Sequence, residues 1–281
     1  MINMDIKRSG NTGPNEEATF QDVNIVLRKR GAKTKLKFGV VLKASGIVIP
    51  LSFTKAIMWS LNLDVLTSTT FTAPFLGGVL LILGFLLYST VTDYKEAEKI
   101  PAEMAALIKS LYKDIRIACI NHDHMMSLIQ QHVKELIDAI ISNLRENVWR
   151  QKEVNRVIDE LDNDVGTLVK QGIGLQFIPK LRGTLTDIEK ISNRIETIKE
   201  TTFIPAAHGL AESGAIMAVS ILLFTRLNSI VEGFVFACIS LLVISITLFI
   251  RDMEDPFDVF KSYVYVDLEH LYKLEQYLGN K

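Results

Sequence analysis

The sequence predicts an all-α integral membrane protein with four transmembrane helices and a helical cytoplasmic domain. Four segments approach the roughly 20 mostly apolar residues that a membrane helix needs. The 281-residue chain has a mean hydropathy of +0.24 although 22% of its residues are charged, so the apolar residues are concentrated in blocks. A long polar stretch with helical periodicity lies between the second and third blocks. No long stretch alternates apolar and polar residues in the way that a half-buried strand does.

These blocks divide the chain into five parts. We expect, in order, a disordered or partly ordered N-terminal segment, a basic pre-segment with the first transmembrane hairpin, a helical cytoplasmic domain, a second transmembrane hairpin and a cytoplasmic C-terminal segment, at residues 1–27, 28–92, 93–202, 203–250 and 251–281. The four spans are predicted at residues 38–61, 71–92, 203–224 and 229–250. The N-terminal segment lacks the apolar core of a signal peptide.

Four ionisable residues fall within the predicted spans. Lys43 and Lys55 lie toward opposite ends of the first span, where long ammonium side chains can reach the membrane interfaces. His208 and Glu212 lie one helical turn apart in the third span. Because ionisable groups inside a membrane are by default functional candidates, all four are candidates for ion permeation or intramembrane pairing. An interfacial hydrogen-bonding role explains His208 and Glu212 equally well.

The distribution of Lys and Arg predicts the orientation. Six of the ten residues at 28–37 are Lys or Arg, whereas loop 62–70 has none and the loop between the third and fourth spans holds only Arg226. By the positive-inside rule, both termini and the 93–202 segment are cytoplasmic in a multi-pass protein of the cell membrane. The two cysteines lie far apart and offer no disulfide framework, which fits a reducing cytoplasm.

The cytoplasmic segment is predicted to consist of amphipathic helices. Apolar residues recur at three-, four- and seven-residue spacing along residues 126–161 and 181–198, and residues 171–179 are predicted as a break. The chain has 31 Lys and Arg against 32 Asp and Glu, so bulk charge predicts no nucleic-acid partner.

No enzymatic activity, cofactor or metal site is predicted from the sequence. His124 and His132 share a helix face, but His122 does not, so a solvated helix face is a better explanation than a metal site. Gly172 and Gly174 lack the rest of a dinucleotide-binding fingerprint. No serine or cysteine has the setting of a catalytic nucleophile.

The glycines of span 71–92 allow two interpretations. Ala73 and Gly77 have the small-xxx-small spacing through which membrane helices pack closely. Gly77, Leu81 and Phe85 recur every four residues and therefore share a helix face. Around a symmetry axis, such a stripe would form stacked apolar rings that block ions by dewetting. Spacing alone does not choose between helix packing and a hydrophobic gate.

Several short motifs occur in a distinctive order relative to the four spans. These are "APF" and "LGF" in the second span, "TDYKEAEKI" directly after it, "TTFIP" at the start of the third, "MEDPF" after the fourth and "YVDLEHLYKLEQYL" near the C-terminus. With these motifs the chain resembles the bestrophins, a family of pentameric ion channels with four spans per subunit and a large helical cytoplasmic part.

The resemblance implies a homopentameric passive ion channel whose cytoplasmic helices form a vestibule. Leu81 and Phe85 match the second and third apolar neck positions, and Gly77 matches the first, where the family has an apolar branched residue. The remaining residues expected to serve pore-helix packing are Ala73, Pro74, Gly78 and Gly84. The implied partners are membrane lipid, permeating inorganic ions and further copies of the chain. Anion conduction is favoured, and cation conduction stays open because the family contains both kinds of member.

The C-terminal motif consists of Glu254, Asp255, Pro256 and Phe257. The acidic run that completes the calcium clasp of animal bestrophins does not follow it, so calcium gating is not predicted. Two alternative functions remain open: a non-conducting membrane scaffold that binds a partner, and a secondary transporter. The transporter is the weaker alternative because the chain shows no internal repeat, and Pro50 alone breaks a span.

Overall fold

The all-α fold class is confirmed by the structure, a computed structural model that describes residues 38–66, 72–200, 205–258 and 262–279. Side chains at positions 200 and 205–208 are outside this description. The described residues form eight α-helices and no β-sheet. The helices are α1 Gly39–Ser60, α2 Thr72–Ala118, α3 Asp123–Arg145, α4 Gln151–Lys170, α5 Ile178–Glu200, α6 Pro205–Phe224, α7 Ile230–Met253 and α8 Glu269–Gly279.

A helix lies at each of the four predicted spans. Within the described residues, α1, α2 and α7 are long and apolar enough to cross a membrane. Helix α6 has 20 residues, but its apolar part with described side chains, Gly209–Phe224, is shorter than the other three. The count of four spans therefore stays a prediction, while the membrane character of the protein follows from the three long apolar helices.

Helix α2 extends far beyond the predicted second span. It continues from the apolar block through "TDYKEAEKIPAEM" to Ala118, a length of 47 residues. At 1.5 Å per residue this is a rod of about 70 Å, more than twice the hydrocarbon thickness of a bilayer. The second membrane helix and the first helix of the polar segment are thus one continuous element.

The membrane helices share a small core of their own. It is formed by Val79 and Leu83 of α2, Ala211, Ala215 and Ala218 of α6, and Val243 and Ile250 of α7. The alanines bring α6 close to α2, as small residues do between membrane helices. Gly214 contributes to this approach, because a Cβ built there would lie 3.7 Å from a methyl group of Val79.

A second, larger core joins the polar half of α2 with α3, α4, α5 and α8, and we call these packed helices the polar bundle. The periodic residues of the segment at 93–202 contribute to this core, including Val133, Leu136, Leu181 and Ile188. The periodic stretch 126–161 is not one helix, because α3 ends at Arg145 and α4 begins at Gln151. Asn147 reverses the chain between them with a left-handed backbone (φ 58°), a conformation that Asn tolerates better than most residues.

Candidate functional site

One face of α2 is uncovered along the membrane-embedded half of the helix. Leu81, Phe85 and Tyr88 on this face are 59%, 68% and 75% exposed, whereas Leu83, on the opposite side, is fully buried. We call this surface the open face of α2, and it consists of Pro74, Gly77, Gly78, Leu81, Phe85 and Tyr88. The spacing of Gly77, Leu81 and Phe85 thus corresponds to a real surface of the chain.

The glycines of α2 have open space beside them in the part of the chain that the structure describes. A Cβ built on Gly77, Gly78 or Gly84 would have no atom within 4 Å. Ala73 is also exposed. The packing role expected for these positions therefore has no partner among the described residues of one subunit.

The open face continues below the membrane with a change of chemistry. Thr92, Lys95, Lys99 and Glu103 follow Tyr88 at helical spacing, and all four are exposed. The stripe is apolar beside the bilayer and becomes polar and charged where α2 enters the polar bundle. Lys95 and Lys99 were not predicted as site residues from the sequence, although their spacing from Phe85 and Tyr88 places them on the same face.

Lys55 lies in a buried ion pair at the loop end of the membrane bundle. Its Nζ atom donates to Asp64 Oδ1 at 2.8 Å, to the carbonyl of Leu223 at 2.8 Å and to the carbonyl of Thr225. The side chains of Lys55 and Asp64 are only 2% and 4% exposed. The amide of Arg226 donates to the carbonyl of Leu66 at 2.7 Å. Lys55 therefore connects the α1–α2 loop to the α6–α7 loop through hydrogen bonds.

The other ionisable candidates of the membrane spans lie apart from Lys55. The Nζ atom of Lys43 lies 5.8 Å from the centre of the Tyr263 ring, next to the C-terminal segment. Glu212 lies 3.9 Å from Arg251, the last cation of α7. The backbone of His208 belongs to α6, and its side chain lies outside the described residues.

The C-terminal motif forms a junction just below the membrane helices. Asp255 accepts from Asn147 at 2.7 Å and from Lys199 at 3.1 Å, and Phe257 is buried. The carbonyl of Pro256 accepts from the amide of Val266 at 2.7 Å. The neighbouring Asp252 binds the chain in the same way, since its carboxylate accepts the amides of Tyr263 and Val264 at 2.9–3.1 Å. Glu254, the first acidic residue of the motif, is half-buried beside this junction.

The three histidines considered as metal ligands occupy different environments. His122 and His124 are exposed. The side chain of His132 is only 19% exposed, and its Nδ1 atom lies 2.6 Å from Asp164 Oδ2 on α4. The expected solvated face is therefore wrong for His132. The spacing within α3 could not reveal a partner that lies 32 residues further along the chain.

Comparison with known proteins yields matches to solved structures alone. No family model matches the sequence, and no curated protein does. The chain is similar to a bacterial bestrophin homologue from Klebsiella pneumoniae, with a TM-score of 0.72 and 15% identity over 85% of this chain and 97% of that one. A single-substitution variant of that homologue matches with a TM-score of 0.68 and 15% identity over 86% and 97%. The chain therefore has the fold of bacterial bestrophin homologues.

Proposed function

We propose that this membrane protein with the bestrophin fold is a passive ion channel formed by a symmetric homo-oligomer, in which the open face of α2 lines the pore. The observation that carries the proposal is a continuous uncovered stripe on α2 that is apolar beside the bilayer and polar and charged below it. Five copies is the assembly that the family resemblance implies. In this proposal both termini lie in the cytoplasm and the protein lies in the cell membrane, as the distribution of Lys and Arg predicts.

The composition of the open face favours a pore over a lipid contact. On α1, the exposed surface presents Ile49 and Phe53, each 68% exposed, and on α7 it presents Phe234 at 70%. Large apolar side chains of this kind suit acyl chains. The open face of α2 instead presents Gly77 and Gly78 one turn from its bulky residues, and glycine offers no side chain to bury in lipid.

Leu81 and Phe85 have the spacing of a hydrophobic neck. Four residues apart on a helix, they would form two stacked apolar rings about 6 Å apart along the pore axis. A permeating ion loses hydration in such a constriction, which gates by dewetting. Gly77, one turn further toward the loop end of α2, would leave the entrance wider than the neck.

Lys95 and Lys99 favour anion conduction. They lie on the same face as the neck, at the cytoplasmic continuation of the pore. In a symmetric assembly they would form rings of positive charge, which raise the local concentration of anions and oppose cations. Glu103 follows one turn later, so the favourable potential would be strongest between Tyr88 and Lys99.

The test is the current of purified protein in a planar bilayer under a salt gradient. We expect the Leu81→Ala/Phe85→Ala variant to carry a larger current than the wild type, because smaller rings retain water more easily. The matched control is Ile49→Ala/Phe53→Ala, which removes two exposed apolar side chains four residues apart from a different helix. This control should conduct like the wild type.

Charge selectivity is tested in the same bilayers. The reversal potential of the wild type should indicate anion preference, and Lys95→Gln/Lys99→Gln should shift it toward cations. Folded, oligomeric protein that stays silent in all variants would overturn the channel proposal and favour the scaffold. An equal gain of current in the α1 control would refute the assignment of the neck to Leu81 and Phe85.

A further inference from the structure

Three side chains of types that can bind a metal ion converge between α3 and α4. A ring nitrogen of His132 and one carboxylate oxygen each from Glu135 and Glu160 lie within 4.8 Å of one another. All three residues are partly buried. His132 and Glu135 are three residues apart and share one face of α3, while Glu160 reaches the group from α4.

A buried carboxylate orients the histidine of this group. Asp164 is 7% exposed, and its Oδ2 atom lies 2.6 Å from His132 Nδ1. When Nδ1–H donates to this carboxylate, Nε2 keeps the lone pair that a metal requires. The same arrangement of carboxylate, histidine and metal is common in metalloproteins, where the outer carboxylate fixes the tautomer and raises the basicity of the ligand.

We propose that His132, Glu135 and Glu160 bind a divalent transition-metal cation of the Zn²⁺ type, with Asp164 as a positioning residue. One imidazole and two carboxylates suit Zn²⁺ and similar first-row cations, whereas Ca²⁺ and Mg²⁺ prefer ligand sets made only of oxygen. Three protein ligands leave a fourth tetrahedral position for water. The proposal does not depend on the channel function.

The geometry is close to that of a bound site. Ligand atoms at about 2.0–2.1 Å from a tetrahedral Zn²⁺ are about 3.3 Å apart. Because the ligand atoms lie within 4.8 Å of one another, they would have to close by at most about 1.5 Å, which rotation of a flexible glutamate side chain allows. In the described contacts both glutamates use Oε1, which accepts from Gln131 at 3.0 Å in Glu135 and from Arg156 at 2.6 Å in Glu160. Both donors are exposed and can be displaced.

A metal bound here would link α3 to α4, in addition to their packing and to the His132–Asp164 contact. It would bind the folded chain, in which α3 and α4 are adjacent, and not the unfolded one. Metal binding should therefore raise the thermal stability of the protein in proportion to the logarithm of metal concentration above the dissociation constant.

The test uses the purified full-length chain in detergent, dialysed against a chelator and titrated with Zn²⁺ by calorimetry. We expect one Zn²⁺ per chain, with affinity lowered at least about tenfold in Glu160→Gln and His132→Gln. The matched control His124→Gln removes an exposed histidine from the same helix and should bind like the wild type. Far-UV circular dichroism and size-exclusion chromatography verify that each variant is folded.

Two further measurements separate this site from adventitious binding. Co²⁺ should give visible d–d absorption in the wild type and in His124→Gln, and lose it in Glu160→Gln. Asp164→Asn should keep a stoichiometry of one and weaken affinity about 10–100-fold, the loss typical of an outer-shell carboxylate. The proposal is overturned by undetectable Zn²⁺ binding, or by equal affinity in folded wild type and folded Glu160→Gln.

Discussion

Replacement of Asp64 by asparagine should destabilise the protein strongly, because it would leave the Lys55 ammonium buried without a counter-charge. The two side chains are 2% and 4% exposed, and Nζ lies 2.8 Å from Oδ1. Removal of one partner from a buried ion pair typically costs about 3–5 kcal/mol. We expect Asp64→Asn to fall in this range.

The carbonyl acceptors of Lys55 determine how the complementary variants behave. Lys55→Met leaves Asp64 buried as an unpaired carboxylate and removes the donor from the carbonyls of Leu223 and Thr225. A buried acceptor without a partner costs about 1–3 kcal/mol. The double variant Lys55→Met/Asp64→Asn has no buried charge and loses only these hydrogen bonds. Its destabilisation should therefore be well below the sum of the two single variants.

The free energies can be measured by SDS-induced unfolding in mixed micelles, followed by far-UV circular dichroism. The control is Lys43→Met, which removes the other lysine of α1, an exposed side chain whose described contact is with the Tyr263 ring. It should cost less than about 1 kcal/mol. If Asp64→Asn is within about 1 kcal/mol of the wild type, the pair is not desolvated and the reasoning is refuted.

Two more predictions concern the polar bundle. Gly174→Ala should lower the melting temperature more than Gly172→Ala. Both glycines have positive φ (59° and 70°), so both substitutions strain the backbone. A Cβ on Gly174 would in addition lie 2.6 Å from Ala118 Cβ, whereas a Cβ on Gly172 has no described atom within 4 Å. Equal losses in thermal melts would contradict the close approach. Burial raises the pKa of the Cys119 thiol, so at pH 8 iodoacetamide should modify Cys119 much more slowly in the native protein than in the unfolded one. Mass spectrometry of a Cys238→Ser background measures this, and equal rates would show that the thiol is accessible and ionised.

The membrane helices were predictable from sequence because lipid offers no hydrogen-bond partners to the backbone. A long apolar segment in a bilayer must satisfy its hydrogen bonds internally, so hydropathy alone locates α1, α2 and α7. The end of α2 was not predictable in this way. Hydropathy marks where the apolar block ends near Val91, and Pro101 is a residue that usually ends or kinks a helix. The helix nevertheless continues through Pro101, and the buried Ala97 and Met104 attach it to the polar bundle.

The contacts of the candidate sites depended on chain topology that sequence spacing does not carry. The spacing of Leu81 and Phe85 predicted a shared face because both residues lie on one helix. Lys55 instead finds the carbonyl of Leu223, 168 residues away, and His132 finds Asp164 on a different helix. A local pattern could identify these groups as unusual, but it could not identify their partners.

The glycines of α2 need a physical explanation. Glycine inside a helix costs about 1 kcal/mol relative to alanine, so its repeated use needs a compensating contact or a requirement for space. Gly214 has such a contact within the chain, because its missing Cβ lets Val79 approach. Gly77, Gly78 and Gly84 have no such contact among the described residues. The close approach of a neighbouring copy, or the width of a pore, would supply the reason, and both explanations fit the oligomer that we propose.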